Sequence, residues 1–382
     1  MSYPERFNEI RCYTDQEAPF VVSQIFSRPE VKKVLAYVLG EDYADYLIRT
    51  LPEMKSVEDF QRVVIIPVLM ALEHKTSTGV SLVGTEKINK ERGSLFLTNH
   101  RDIVLDSAFL NIHLYLKGFQ TSQIGIGNNL LIQPWIEHAV RLNKSFIVRR
   151  DGSIKQQLLI SKNLSEYIRY VISERKDSVW LAQREGRAKD SNDVTQPSII
   201  KMLNMSSKAT FSESINELNI TPVAINYEFD ACDFLKAKEF QQKRDIPQFK
   251  KSPMDDLMSM QTGLIAPKGR ISYNVCDPIV VPESWNELPK NEQVQALTAE
   301  IDKRIHTNYI LYPNNYVAAD ILYNTHKFAD KYTQKDKEKF EAYVEKQLNK
   351  IDIPNPDYPF LRHMIYTMYA NPALNQEIAL NK

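Results

Sequence analysis

The sequence predicts an α/β protein with a mostly parallel central sheet flanked by helices, and with helical N- and C-terminal additions. Three observations predict this class. From about residue 78, short β-rich runs alternate with segments of helical periodicity, which is typical of a parallel sheet. The chain before this point and the chain beyond about residue 285 have helical patterns. A length of 382 residues with 43% apolar side chains is also enough to build a sizeable core.

The elements divide the chain into three predicted regions. Residues 1–77 are expected to be helical, because Ser56 and Asp59 resemble a capping box ahead of an apolar run. Residues 78–285 form the predicted α/β domain, and residues 286–382 a helical C-terminal region. The predicted strands are VSLVG (80–84), SLFLT (94–98), SQIGIG (122–127), SFIVR (145–149), SVWLA (178–182), ITPVAIN (220–226) and RISYNV (270–275), with helices near 103–116, 130–141, 153–175 and 196–216.

Composition and charge exclude several classes of protein. The net charge is zero, so no overall field favours nucleic acid as a partner. Cys12, Cys232 and Cys276 form no CxxC pair, which argues against a disulfide scaffold and a zinc site and suggests a reducing compartment. The N-terminal segment carries charges throughout, so it is not expected to be a signal peptide.

The apolar run at residues 63–72 is much shorter than the roughly 20 residues of a membrane span. We therefore expect a cytoplasmic protein that is soluble or associates peripherally with a membrane. The pattern leaves open whether this helix packs on the core or lies with its apolar face in a membrane interface.

A histidine followed by two acids stands at the end of the second predicted strand, in NHRDIVLD (99–106). A histidine with a nearby carboxylate is what a general base with an orienting partner needs. Asp102 lies at the expected start of a helix, where aspartate caps backbone N–H groups. Asp106 lies one turn further on in an apolar helix, where an unpaired charge is costly to bury. We therefore predict that Asp106 is the partner of His100.

Three further landmarks follow this one at successive predicted strand ends, and their order resembles a known superfamily. The four landmarks are Asn99-His100 with Asp106, the pair Arg149-Arg150, the run Glu185-Gly186-Arg187, and Pro222 within ITPVAI. The glycerolipid acyltransferase superfamily, which includes glycerol-3-phosphate and lysophosphatidic acid acyltransferases, carries a His-x4-Asp motif, an arginine motif, a Glu-Gly motif with arginine, and a proline motif. The resemblance covers residues 78–285.

The chain departs from the superfamily pattern in two places. Five residues separate His100 from Asp106, one more than in the superfamily, while the LDSAFLN stretch around the aspartate still matches. One inserted residue accounts for this difference. The arginine of the third motif follows Gly186 directly, whereas the superfamily often has one residue between them, so either Arg184 or Arg187 holds that arginine's role.

The resemblance implies transfer of a fatty acyl group from an acyl thioester of acyl carrier protein or coenzyme A to a hydroxyl of glycerol-3-phosphate or lysophosphatidic acid. It implies that His100 and Asp106 are catalytic and that the substrate is bound by Arg149, Arg150, Glu185, Gly186 and Arg187. The chemistry agrees, because a thioester is already activated and needs only a base for the attacking hydroxyl, while arginine forks bind phosphate oxygens. No metal and no cofactor besides the thioester co-substrate is expected.

Two alternatives stay open: a different hydroxylated or amino-lipid acceptor, and a non-catalytic lipid- or carrier-binding protein. Residues 141–189 hold twelve Lys and Arg against five Asp and Glu, which favours a phosphorylated acceptor over a neutral one. Residues 235–251 hold six basic and two acidic side chains. This second run is either a solvated face or a surface for an acidic carrier protein or an anionic membrane.

Overall fold

The computed structural model describes residues 3–131, 133–150 and 152–381. At its centre lies a single sheet of seven strands, in the spatial order β1-β7-β6-β2-β5-β3-β4. The strands are β1 (Ser77–Val83), β2 (Leu95–Thr98), β3 (Gln123–Gly127), β4 (Ser145–Val148), β5 (Val179–Ala182), β6 (Ile220–Tyr227) and β7 (Gly269–Val275).

Strand direction defines the edge of the sheet that matters for function. β4, β3, β5, β2 and β6 are parallel to one another, β7 is antiparallel to β6, and β1 is parallel to β7. The carboxyl ends of five strands therefore meet the amino ends of β1 and β7 at one edge, which we call the carboxyl edge. The predicted fold class, an α/β protein with a mostly parallel sheet, is confirmed.

Helices cover both faces of this sheet and extend the chain at both ends. Before the sheet lie α1 (Ala18–Phe26), α2 (Pro29–Leu39), α3 (Glu41–Thr50), α4 (Val57–Phe60) and α5 (Ile66–Thr76). Between strands lie α6 (Leu105–Leu116), α7 (Pro134–Leu142), α8 (Ile154–Ser173), α9 (Pro197–Asn204), α10 (Phe211–Glu217), α11 (Asp233–Asp245) and α12 (Pro253–Ile265). After the sheet lie α13 (Lys290–Thr307), α14 (Pro313–Tyr323), α15 (Gln334–Leu348) and α16 (Tyr358–Leu380).

The inner strands are apolar on both faces because both faces are covered, as in other parallel sheets, whereas the edge strand β1 is largely exposed. Leu95 and Leu97 of β2 face one buried cluster, which includes residues of α8, α9 and α13. Phe96, between them, faces a second cluster with α5 and α6. All eight residues of β6 are buried. Alternation along β2 thus divides the core into two layers and leaves the strand ends to carry polar residues.

The two terminal regions have cores of their own. One cluster joins α1–α4 to Leu142 of α7, and another joins α11 to α14, α15 and α16. The sequence left the position of the helix at residues 63–72 open, and the structure packs it on the core, with Val64, Ile66 and Leu69 buried. Nowhere in the described part of the chain does a helix have the length and apolar character of a membrane span.

The seven predicted strands are all present, with bounds shifted by a few residues. The segment predicted as a helix near 196–216 is instead two helices, because the chain breaks between α9 and α10, where Thr210 caps the second helix. α11 and α12 had not been predicted. The division at residues 77 and 285 stays a prediction, and Leu297 and Ile301 of α13 lie in the core of the sheet.

Candidate active site

Asn99 fixes the start of the loop that follows β2. Its side chain accepts a hydrogen bond from the Ile225 N–H and donates one to the Ile225 carbonyl, both at 2.8 Å. These two bonds continue the pairing of β2 with β6 by one further position. Asn99 is fully buried, so an apolar residue there would leave the β6 backbone groups unpaired. The next residue, His100, consequently has a well-defined position at the carboxyl edge.

His100 and Asp106 are in direct contact. The Nδ1 atom of His100 lies 2.8 Å from Oδ2 of Asp106. The same oxygen accepts the backbone N–H groups of Arg101 at 2.6 Å and of Asp102 at 3.0 Å, so the carboxylate also shapes the loop between strand and helix. The side chain of Asp106 has no exposed surface, and that of His100 is 12% exposed.

The imidazole ring of His100 is positioned for proton transfer at its other nitrogen. An Nδ1–H donated to Asp106 leaves Nε2 as the basic atom. Within residues 3–131, 133–150 and 152–381, no side chain or backbone group makes a hydrogen bond with Nε2. The ring packs edge-on against Trp180, with centroids 5.8 Å apart. This packing restricts the ring while one nitrogen stays available to a substrate.

Asp102 has a different structural role from Asp106. Its Oδ1 atom accepts the N–H groups of Val104 at 2.9 Å and Leu105 at 2.8 Å, and so caps the first turn of α6. Burial, and then the charge of Asp106, raise the pKa of the Asp102 carboxyl. The backbone of Gly263 in α12 approaches so closely that a Cβ there would lie 2.1 Å from Oδ2. Asp102 is therefore a capping group enclosed by α12.

Arg101 and Asp193 form an ion pair that the sequence analysis did not predict. The guanidinium donates to both carboxylate oxygens, at 2.9 and 2.6 Å, and both side chains are buried. Tyr309 also donates to Asp193. Burial opposes the charge on Arg101, but Asp193 outweighs it and raises the pKa of the guanidinium. The pair joins the loop after β2 to the loop after β5. The sequence feature that could have drawn attention to Arg101 is its position directly after His100.

Arg149 and Arg150 lie at the end of β4 and point to different partners. Arg149 pairs with Glu9 at 3.2 Å, and Arg150 pairs with Glu185 at 3.0 Å. All four side chains are at least 40% exposed. The structure thus brings Arg150 together with Glu185 and turns Arg149 towards the N-terminal segment. Gly186, the residue after Glu185, has a positive φ of 66° with open space around it.

Arg187 belongs to a buried polar cluster beside the loop that carries His100. Burial opposes the charge on its guanidinium, and Cys232, Asp102 and Asp230 outweigh it, so the pKa of Arg187 is raised. Lys268, the residue before β7, is fully buried near the same groups, and burial lowers its pKa to about 8. Two cations thus lie at the carboxyl edge close to Asp102, of which the sequence analysis had identified only Arg187.

The second basic run, residues 235–251, is largely neutralised by neighbouring acids. Lys236 is buried and pairs with Asp230. The other pairs are Lys243 with Glu239, Arg244 with Asp245 and Asp357, and Lys251 with Asp256. Because four of its six basic side chains form ion pairs, the run offers a partner less positive charge than its composition suggests.

No group of three or more His, Cys, Asp or Glu side chains in the described ranges is arranged to hold a metal ion. The cysteines also lie outside the predicted motifs. All three are buried, and burial raises the pKa of the thiols, to about 12 for Cys232 and Cys276. A thiol with such a pKa stays protonated at neutral pH and is a poor nucleophile.

Comparisons with known proteins gave a likeness to solved structures only. No family model matches the sequence, and no curated protein matches it. Among solved structures, the 1-acyl-sn-glycerophosphate (LPA) acyltransferase PlsC from Thermotoga maritima aligns with 75% of this chain and 92% of its own chain. The sequence identity is 12% and the TM-score is 0.38, a value too low to support an inference about the reaction.

Proposed function

We propose that the protein is an O-acyltransferase that moves a fatty acyl group from the thioester of acyl carrier protein or coenzyme A to a hydroxyl of glycerol-3-phosphate or lysophosphatidic acid. One observation carries the proposal: the imidazole of His100 is held at Nδ1 by Asp106, while Nε2 is free of other described groups and the ring is partly exposed. His113 forms a similar pair with Glu73, but it lies inside α6, whereas His100 follows the carboxyl end of β2.

The reaction needs one proton to move twice. The acceptor hydroxyl gives its proton to Nε2 of His100 as its oxygen attacks the thioester carbonyl. The tetrahedral intermediate then collapses, the C–S bond breaks, and the imidazolium returns the proton to the leaving thiolate. Asp106 stabilises the imidazolium between the two transfers and fixes its orientation. No acyl-enzyme is required, in agreement with the buried, protonated cysteines.

The acceptor's phosphate needs fixed cations near this base. Arg187 is the best candidate, because its guanidinium lies in the cluster with Asp102, two residues after His100. Arg150 and Arg149 are more exposed and paired with acids, so we assign them a role at the rim of the site. Glu185 cannot bind a phosphate as an anion, and its contact with Arg150 supports a role in holding that arginine. Gly186 gives the loop a backbone conformation that other residues rarely adopt.

We further propose that the protein works as a cytoplasmic enzyme on a membrane surface and uses the start of α8 to reach it. Every side chain from Ile154 to Leu159 is exposed, and the apolar members Ile154, Leu158 and Leu159 are 88%, 60% and 61% exposed. Lys155 and Lys162 are also exposed, and neither forms an ion pair with a described residue. Exposed apolar groups beside unpaired lysines suit an anionic lipid surface.

The test is acyl transfer by the purified protein, with an acyl-coenzyme A and an acyl carrier protein thioester crossed with a panel of acceptors. The panel contains glycerol-3-phosphate, lysophosphatidic acid, glycerol and a hydroxylated amino-lipid. His100→Ala is expected to lower turnover by about 10²- to 10⁴-fold, the usual contribution of a general base. His363→Ala, which removes an exposed histidine from α16, is the matched control and should keep full activity.

Three outcomes separate the alternatives. Near-normal turnover by a folded His100→Ala protein refutes the mechanism. Activity confined to the amino-lipid would keep the reaction and replace the acceptor. Binding of the thioester without transfer to any acceptor would identify a carrier-binding protein instead.

A further inference from the structure

One buried carboxylate, that of Asp193, binds the side chains of the two residues on either side of His100. The side-chain amide of Asn99 donates to its Oδ2 atom at 3.3 Å. The guanidinium of Arg101 donates to Oδ1 at 2.9 Å and to Oδ2 at 2.6 Å. Asp193 has no exposed surface. The backbone of His100 therefore lies between two anchors that share one acid.

Asp193 and Asp106 hold this loop from opposite layers of the sheet. Asn99 continues the alternation of β2, so its side chain lies on the layer that is covered by α8, α9 and α13. His100 lies on the other layer, where its ring packs against Trp180 and its Nδ1 atom contacts Asp106. Asp106 thus orients the ring, while Asp193 fixes the side chains next to it.

The C-terminal region holds Asp193 in place. Tyr309, two residues after α13, donates its hydroxyl to Oδ2 at 2.5 Å, and Nε2 of His306 donates to the Asp193 carbonyl at 2.7 Å. Two residues further along the same loop, the N–H and the hydroxyl of Thr195 donate to Asp302 at 2.8 and 2.5 Å. The loop after β5 is therefore joined to α13, a helix that follows the last strand of the sheet.

The geometry gives Asp193 no direct part in the chemistry. Its two oxygens accept four hydrogen bonds from described residues, one at Oδ1 and three at Oδ2, which is about as many as a carboxylate can take. Any effect on the reaction must pass through the backbone of His100. That effect can be large, because an error of about 1 Å in the position of a reacting group can cost about 10²-fold in rate.

We propose that Asp193 is a positioning residue for His100, and that α13 takes part in catalysis by holding Asp193 in place. We call Asp193 with Asn99 and Arg101 the clamp. The kinetic test of this inference rests on the proposed acyl transfer. Loss of the clamp should lower kcat and leave KM nearly unchanged, because the clamp binds the loop that carries the base and leaves no carboxylate oxygen open to a substrate.

The double variant Arg101→Met, Asp193→Asn removes the clamp without leaving a buried charge unpaired. We expect kcat to fall by about 10- to 10²-fold and KM to change by less than about 3-fold. Asp320→Asn is the matched control, since this buried acid also accepts a tyrosine hydroxyl, that of Tyr332 at 3.0 Å, and its partners all lie within residues 325–332. It should lower the melting temperature and leave kcat unchanged.

A second measurement does not need the reaction. The Nδ1 proton between His100 and Asp106 should give a proton NMR resonance far downfield of the backbone amides, identified by its absence from His100→Ala. We expect this resonance in the wild type and in Asp320→Asn, and its broadening or loss in the double variant, because a displaced ring exchanges its proton with water. Tyr309→Phe removes one donor to the clamp and keeps both charges. It should broaden the resonance and lower kcat by about 3- to 10-fold, the size of one lost hydrogen bond.

Three results would overturn the clamp. If the double variant lowers the melting temperature but keeps kcat and the downfield resonance, as Asp320→Asn does, Asp193 has only a structural role. If the wild type lacks the resonance, His100 is not held against Asp106 and there is no position to maintain. If the double variant does not fold, Tyr309→Phe decides, and unchanged kcat and resonance in that variant would refute the proposal. Should the wild type transfer no acyl group, the proposed function fails, while the NMR comparison still tests the clamp.

Discussion

At the scale of single residues, the two acids of NHRDIVLD show how position separates a carboxylate that orients a histidine from one that caps a helix. Asp106 binds the imidazole of His100 and two backbone N–H groups through one oxygen. Oδ1 of Asp102 accepts only backbone N–H groups, those of Val104 and Leu105. Under the proposed mechanism, the charge of Asp106 stabilises an imidazolium, whereas at Asp102 an uncharged oxygen caps the helix equally well.

This difference predicts the effect of the two asparagine substitutions. Asp106→Asn should lower kcat by at least about 10²-fold with little loss of stability, because the amide oxygen can replace Oδ2 while the charge is lost. Asp102→Asn should change kcat by less than about 3-fold, since asparagine is as good a cap as aspartate. Steady-state kinetics and thermal melting of both variants are the measurement. The reverse ranking of the two kcat values would transfer the orienting role to Asp102.

The pairing of His100 with Asp106 was predictable from the sequence, whereas the pairing of Arg101 with Asp193 was not. The first depends on local spacing and on the cost of burying a charge in an apolar helix. The second joins side chains 92 positions apart, and only the meeting of two loops at the carboxyl edge brings them together.

At the scale of elements, α8 begins with six exposed residues, 154–159, and then continues into the core. These exposed residues span about 9 Å along the helix axis. Further along the helix, Leu164, Tyr167 and Ile168 are buried. A capping box between Ser153 and Gln156 stabilises this exposed start without the help of tertiary contacts. Exposing apolar residues in a stabilised helix suits a surface that meets a lipid layer.

The predicted consequence is loss of membrane binding when this helix start becomes polar. The double variant Leu158→Ser, Leu159→Ser should bind anionic vesicles at least about 10-fold more weakly than the wild type in a sedimentation assay, and keep its melting temperature. High salt should release the wild type in part, because the lysine contribution is screened. Val280→Ser, 78% exposed at the opposite edge of the sheet, is the control. Unchanged binding by the double variant would exclude α8.

The strands could be predicted from the sequence more easily than some of the helices. Most strands were predictable because they are short apolar runs next to turn residues, and in the inner strands both faces are buried. α11 was missed because it has no apolar stripe: it buries Lys236, Glu239 and Gln241 through ion pairs and hydrogen bonds. Periodicity detects a helix whose buried face is apolar, and it cannot detect one whose buried face is polar.

At the scale of the whole molecule, hydrogen bonds from one buried acid join the segment after β6 to the last two helices. Asp233, at the start of α11, accepts from the hydroxyls of Tyr343 in α15 and Tyr369 in α16 at 2.7 and 2.9 Å, and from the amide of Gln347. Tyr369 also accepts the Asp230 N–H at 2.9 Å. The C-terminal helices are therefore tied by polar contacts to the strand end that borders the candidate site.

Asp233 should make the stability of this junction depend on pH. Burial, and then the charge of Asp230, raise the pKa of Asp233 to about 7, although the tyrosine hydroxyls oppose the shift. In the unfolded chain an aspartate has a pKa of about 3.9, so between these values the folded state holds a proton that the unfolded state has released. The contribution of Asp233 to stability is therefore complete below about pH 4, declines up to pH 7 and is constant above it.

Asp233→Asn tests this sign, because asparagine keeps an acceptor for the tyrosines and never ionises. The free energy of unfolding of the variant, minus that of the wild type, should therefore grow as the pH rises from 4 to 7. The growth should be at most about 1.4 kcal/mol for each pH unit. Urea titrations at pH 5 and pH 8 measure the difference. Asp357→Asn is the contrasting variant, because the N–H of Phe360 and then Arg244 lower the pKa of that exposed carboxyl. Removing this charge should lower the free energy of unfolding at pH 8, and lower it less near pH 3. If Asp233→Asn instead loses more stability at pH 8 than at pH 5, the folded protein favours the ionised carboxylate, and the tyrosine hydroxyls outweigh its burial.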